Sequence, residues 1–126
     1  FCEIFMPKSD LITVHLKLAP VQKILEGKNI ILVDDSLVRG TTMRHVVSML
    51  KDCGAKKIYL CVSSPPIINI CSYGIDMGTP EELIATQVER ENLANVLGCD
   101  EVYYLSYNGM INAVGHSNFC CQCLNR

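Results

Sequence analysis

The sequence predicts an α/β domain built on a mostly parallel sheet flanked by helices, and three observations carry that expectation. Two apolar runs rich in β-branched residues, Ile30-Ile31-Leu32-Val33 and Ile58-Tyr59-Leu60-Cys61-Val62, lack the polar alternation of a half-exposed strand. A run of this kind reads as a strand covered on both faces. Between them the pattern changes to a helical period, with Met43, Val46, Val47, Leu50 and Cys53 on one stripe and Gly54 where a left-handed cap belongs. Strand, helix and strand at this spacing make a βαβ unit with a right-handed crossover.

The remaining elements follow in order. Lys8 to Pro20 is ambiguous, since Leu11 to Leu18 suits a strand or a helix. Thr79-Pro80-Glu81-Glu82 has the form of a capping box with proline at the first helical position, opening a short helix through Ala85. A second helix runs from Glu89 to Leu97 and is closed by Gly98. Val102-Tyr103-Tyr104-Leu105 reads as a third strand. Ser106 then caps a last helix carrying Met110, Ile111 and Val114, with Gly115 behind it. No repeat, low-complexity segment or linker precedes Gly115, so residues 1–115 read as one unit and 116–126 as a cysteine-rich tail.

Composition narrows the function. Of 126 residues, 49% are hydrophobic and 19% charged, enough for a compact core. A net charge of -2 provides no basic field for nucleic acid. No apolar run approaches the ~20 residues of a membrane span, and no secretory pattern opens the chain. A cytoplasmic setting is expected, or a plastid one if a transit peptide precedes Phe1. The eight cysteines then read as reduced thiols or a metal site rather than a disulfide framework. Cys53, Cys61 and Cys99 lie in apolar runs and behave as small hydrophobes. Only Cys120, Cys121 and Cys123 ask for a special explanation.

The chemistry concentrates after the first strand. Asp34-Asp35 follows it directly and so stands at the carboxyl edge of the sheet, where open α/β folds bind ligands. Residues 36–42 must then turn tightly into the helix. Gly40 lets the backbone approach a ligand, Ser36, Thr41 and Thr42 offer hydroxyls, and the first helical amides lack partners, so a phosphate fits there. Adjacent carboxylates repel phosphate, so they should face sugar hydroxyls or Mg²⁺. An Asp pair followed by Ser also serves as a plain cap and turn; Arg39-Gly40-Thr41-Thr42 immediately behind it favours the ligand. The other common phosphate loops are absent.

The run Val33-Asp34-Asp35-Ser36-Leu37-Val38-Arg39-Gly40-Thr41-Thr42 resembles the phosphoribosyl-pyrophosphate (PRPP) signature of type I phosphoribosyltransferases. In particular it resembles the V-D-D-S-I-V-R-G-T-T of the amidophosphoribosyltransferases. Gly54-Ala55-Lys56-Lys57, Ser64-Pro65-Pro66-Ile67, Tyr73-Gly74-Ile75-Asp76-Met77, Glu81-Glu82-Leu83-Ile84-Ala85 and Tyr104-Leu105-Ser106 match that family in order and spacing. The likeness covers the chain from about Lys17 to Gly115. It implies a Rossmann-like type I phosphoribosyltransferase fold, incomplete at its N-terminal side. It also implies a glycosyltransferase (pentosyltransferase) whose parent makes 5-phosphoribosylamine from PRPP and glutamine, opening de novo purine synthesis. Asp34, Asp35, Ser36, Leu37, Val38, Arg39, Gly40, Thr41 and Thr42 would then bind PRPP, with Asp34 and Asp35 holding Mg²⁺ and no residue assigned as a catalytic nucleophile. Implied partners are PRPP, purine nucleotides as feedback inhibitors, a glutaminase domain of the same parent chain, and further copies in a tetramer. The alternative is a non-catalytic PRPP or nucleotide binder that kept the loop as a regulatory module.

Some members of that family hold a [4Fe-4S] cluster on cysteines, one before the Y-G-I-D segment and two in a late C-x-x-C. Cys71 and the pair Cys120 and Cys123 match three of the four ligands. The fourth family position falls upstream, Cys2 stands in the wrong place for it, and Cys121 reads as a spectator. Zinc, or free thiols at a frayed terminus, are the competing readings. Before about Val14 the resemblance fails: no G-R-T-F stands in Phe1 to Pro7, and no glutaminase segment is present. These residues alone are therefore expected to show no glutamine-dependent activity. A sheet without its early strands is also expected to expose an edge and apolar faces.

Overall fold

A computed structural model of the chain describes residues 22–124; the expectation for Lys8 to Pro20 lies outside them. The described elements, in order, are helix α1 (Gln22–Leu25), strand β1 (Asn29–Asp34), helix α2 (Thr41–Asp52), strand β2 (Lys57–Val62), a 3-10 turn (Pro80–Glu82), helices α3 (Ile84–Gln87) and α4 (Arg90–Leu97), strand β3 (Glu101–Tyr104) and helix α5 (Tyr107–Val114). The three strands form one parallel sheet in the order β1-β2-β3. Its register places Leu32 beside Leu60, Leu60 beside Val102, Asp34 beside Val62 and Val62 beside Tyr104. Among the described residues no helix is long and apolar enough to cross a membrane.

Each strand falls where its β-branched residues predict it, within a residue at either end. The helical stripe is also recovered, with Met43, Val47 and Leu50 buried, and Met49 is buried besides. Gly54 takes φ +85 behind α2, where Cys53 N–H donates to the Met49 carbonyl and Ala55 N–H to that of Leu50. Ser106 Oγ accepts from Gly109 N–H at 3.0 Å and starts α5 as expected. The helix expected from Thr79 through Ala85 is instead two pieces. A single 3-10 turn ends at Leu83, whose backbone is extended at φ -73, ψ 109, and α3 starts after it. That break delivers the Leu83 side chain fully into a small apolar cluster with Ile67 and Met77.

The apolar runs predicted strands covered on both faces, which the structure corrects; the exposed apolar face, also expected, is what it shows. On one face Ile58, Leu60 and Val62 are buried under Met43, Val47 and Leu50 of α2 and Leu93 and Leu97 of α4. Each such side chain contributes about 1.5–3 kcal/mol on burial. On the other face Ile31 and Val33 are 69% and 66% exposed, and Tyr103, in register with Cys61, is exposed beside them. The cause is topological. Both crossovers, β1 to β2 and β2 to β3, step the same way across the sheet, and right-handed connections then put both helices on the same side.

Gly40 joins the two layers at the point where β1's loop enters α2. It takes φ +74, and a Cβ there would sit 2.6 Å from Ile84 Cδ1 and 2.9 Å from Leu97 Cδ2. Gly40→Ala is therefore expected to destabilise the fold by about 2–4 kcal/mol, from backbone strain and overpacking together; urea denaturation reads this. The bare face yields a second expectation. Ile31→Thr combined with Val33→Thr should shift the chain from oligomer toward monomer in light scattering while changing stability by no more than about 0.5 kcal/mol.

Candidate functional site

β1 ends on Asp34, and the sheet ladder holds to that residue. The Asp34 carbonyl accepts from Ser63 N–H and from Ser63 Oγ, both at 2.9 Å. Asp34 is half-buried, in register with Val62 and Tyr104, whereas Asp35 is exposed. The two carboxylates are thus electrostatically unequal. Burial raises the Asp34 carboxyl above the ordinary range, opposed by the hydrogen bond from Asp35 N–H at 3.0 Å and reinforced by the Asp35 charge. Their position at the carboxyl edge is the one the sequence predicted.

The loop that follows is anchored by its apolar side chains. Leu37 lies in the main core and Val38 packs against the Ile67, Met77 and Leu83 cluster. The Val38 carbonyl accepts from Ile84 N–H at 2.8 Å, so the start of α3 grips the loop from behind. The first intrahelical bond of α2 runs from Arg44 N–H to the Gly40 carbonyl. The amides of residues 36–43 find no acceptor among the described residues. Thr41 and Thr42 are exposed and Ser36 is half-buried, so three hydroxyls border the same run of free donors. Such a run at a helix start, with the dipole behind it, has the chemistry to accept an anion.

Arg39 behaves differently from the rest of the loop. Its guanidinium pairs with Glu82 at 3.3 Å, on the far side of the turn. Glu82 was read from the sequence only as a capping residue, and its carboxylate does accept from Thr79 N–H at 3.0 Å. Its second partner was not legible, because nothing local links positions so far apart in the chain. Ser64 Oγ and Tyr104 OH, just past β2 and at the end of β3, are buried and have no hydrogen-bond partner among the described residues. Burial pushes the Tyr104 hydroxyl up to about 12, which keeps it protonated.

The cysteines assigned to a cluster are gathered by a docked tail. Ile67 and Leu124 form an antiparallel bridge, Ile68 N–H donates to the Cys123 carbonyl at 2.8 Å, and Asn69 Nδ2 reaches the Gln122 carbonyl at 3.2 Å. The frayed terminus weighed above does not describe residues 120–124. Cys71 and Cys123 both pack against the Ile67, Met77 and Leu83 cluster. The amides of Ile75 and Tyr73 hold the Cys71 thiol below its ordinary pKa, and Tyr73 N–H donates to its Sγ at 3.3 Å. Burial pushes Cys123 up, helped by the nearness of Cys71, Cys120 and Cys121. Cys121 is buried. Among the described residues no three His, Cys, Asp or Glu side chains come together in an arrangement that could hold a metal ion.

Comparison with known proteins bears on this geometry directly. The family model for the phosphoribosyl transferase domain matches residues 6–65. The chain is 46% identical over 113 residues to an amidophosphoribosyltransferase of Methanocaldococcus jannaschii, a match spanning 90% of this chain and 24% of that one. It is 43% identical over 114 residues to that of Bacillus subtilis, spanning 88% and 24%. Among solved structures it superposes with TM-score 0.73 and 36% identity on the B. subtilis glutamine PRPP amidotransferase complexed with ADP and GMP, covering 97% of this chain and 28% of that one. The chain thus spans about a quarter of the length of the relatives it matches. A parallel sheet, a phosphate-type loop at its carboxyl edge and this degree of identity along nine-tenths of the chain agree, and the chain belongs to the amidophosphoribosyltransferase family.

Proposed function

We propose that this chain binds PRPP with Mg²⁺ and is part of an enzyme that forms 5-phosphoribosylamine from PRPP and glutamine, the opening step of de novo purine synthesis. The observation that carries the reading is the run of amides at residues 36–43, without acceptors among the described residues, beside the Asp34-Asp35 pair. The 5′-phosphate takes those amides and the hydroxyls of Ser36, Thr41 and Thr42. Leu37, Val38, Arg39 and Gly40 contribute main chain to the same cradle. Asp34 and Asp35 face the ribose hydroxyls and Mg²⁺, since a carboxylate beside an anion needs a cation or a donor between them. Catalysis is positioning plus stabilisation of charge on the departing pyrophosphate, with Mg²⁺ supplying positive charge when bound. The relatives' shared name favours this enzyme over a non-catalytic binder.

The same proposal covers the partners. Purine nucleotides act as feedback inhibitors, consistent with the ADP and GMP named for the B. subtilis structure. A glutaminase domain of the parent chain supplies ammonia. The bare sheet face is covered in an oligomer or by the rest of the parent, in a cytoplasmic or plastid setting. Cys71, Cys120 and Cys123 would hold three corners of a [4Fe-4S] cluster, which would serve here as a structural clamp on the tail. A cube spreads its thiolates over separate irons, so its ligands need not converge as those of one ion do. The amides around Cys71 suit a thiolate ligand.

Calorimetry with PRPP tests the carboxylates. Asp35→Asn should lower Mg²⁺-dependent affinity by at least about tenfold, some 1.4 kcal/mol; unchanged affinity would remove the pair from this role. The pH dependence has a definite sign. Asp34 has a raised pKa and must be ionised to hold Mg²⁺, so affinity should fall on acidification at a pH above the ~3.9 of an ordinary Asp. Asp34→Asn should abolish that step. For the metal, iron and acid-labile sulfide in anaerobically purified protein should approach about four per chain and drop in Cys71→Ser. Zinc without sulfide would overturn the cluster.

A further inference from the structure

We infer that Glu82 is a positioning residue for the phosphate loop, and that Arg39 serves as its pin rather than as a phosphate ligand; the inference rests on the PRPP reading above. Arg39 is the one cation within residues 34–42, and an unpaired guanidinium there would be expected to seize the bound phosphate. In the structure it is turned away, onto Glu82 Oε2 at 3.3 Å. The same carboxylate oxygen accepts from Thr79 N–H at 3.0 Å. Glu82 therefore ties the loop to the segment that leads from Cys71 through Asp76 to α3.

Two independent features show that the fold makes room for this pair. Gly78 takes φ +75, and a Cβ on it would run into Glu82 Oε2 and Arg39 Nη2. The Asp76 carboxylate accepts from Gly78 N–H at 3.0 Å and fixes that turn. Just beyond Glu82, Ile84 N–H bonds to the Val38 carbonyl, one residue before Arg39, so the ion pair and the main-chain bond grip adjacent points of the loop. Held at both points, the loop keeps in place a run of amides that have no acceptor among the described residues. The phosphate is then met by amides and hydroxyls, which select for shape, rather than by a mobile cation that would take any anion.

Both partners of the pair are about half exposed, so the effect of breaking it is modest, about two- to fivefold in affinity. The test is a double-mutant cycle on the chain, with Glu82→Gln, Arg39→Gln and the pair. Gln at position 82 still accepts from Thr79 N–H, which isolates the charge. Two readouts are needed. Amide hydrogen exchange of residues 36–42 without ligand reports the pin, and calorimetry with Mg²⁺ and PRPP reports its use. Each single substitution should speed exchange in the loop and weaken PRPP by about two- to fivefold, with the double variant no weaker than either single. Arg39→Lys should stay near wild type, and the melting temperature should move little in any of them. If Arg39 instead touches phosphate, Arg39→Gln weakens binding by more than about tenfold while Glu82→Gln leaves it unchanged or tighter, and the inference is overturned. Loop exchange unchanged in both singles overturns it too. Absence of PRPP binding in the unsubstituted chain, with the exchange result intact, would refute the PRPP reading and leave the pin standing.

Discussion

Gly40 is the constraint on which the rest of this structure depends. At that residue the chain must leave β1's loop, enter α2 and pass within van der Waals reach of Ile84 and Leu97, all at a positive φ. Only a residue without a side chain meets the three demands together. The consequence reaches both layers. α2 starts where its stripe can bury Met43, Val47 and Leu50 against the sheet, and its first amides, beside the Asp pair, have no acceptor among the described residues. Packing and the proposed anion site thus both depend on one tight turn.

The loop around Gly40 divides its labour between side chain and main chain. Leu37 and Val38 point into two different apolar clusters, and Arg39 is held by Glu82. The main chain of the same residues is what remains for a ligand. A rigid cradle of amides costs little reorganisation when the anion arrives, which is the physical advantage of building it on a turn fixed from behind. The unequal carboxylates at its edge fit the same logic. Burial raises the pKa of half-buried Asp34, and a cation or donor beside it would lower it again.

The docked tail gives the second apolar cluster its lid. Ile67 pairs with Leu124, and Cys71 and Cys123 flank Met77 and Leu83. Since Val38 leans on the same cluster, the cysteines and the phosphate loop share one small support. The strand faces tell the opposite story. Helices cover the sheet on the side of Leu60, while Ile31, Val33 and Tyr103 form an uncovered apolar surface.

The sequence by itself determined what depends on neighbours in the chain. The β1-α2-β2 unit, the caps at Gly54 and Ser106, and the Asp pair at a strand end with Gly40 behind it are all set by short-range periodicity and turn chemistry, and each was legible. Three things were decided only in three dimensions. Burial of both sheet faces was a reasonable inference from uninterrupted apolar runs, but the single handedness of two crossovers leaves one face bare. Arg39, one of the PRPP-binding residues that the resemblance implies, pairs with Glu82, far away in sequence. The tail read as cysteine-rich, with a frayed terminus among the competing readings, and its bridge to Ile67 docks it. Local pattern fixes which backbone turns form; which side chains meet across them depends on how the layers stack, and no window of sequence contains that.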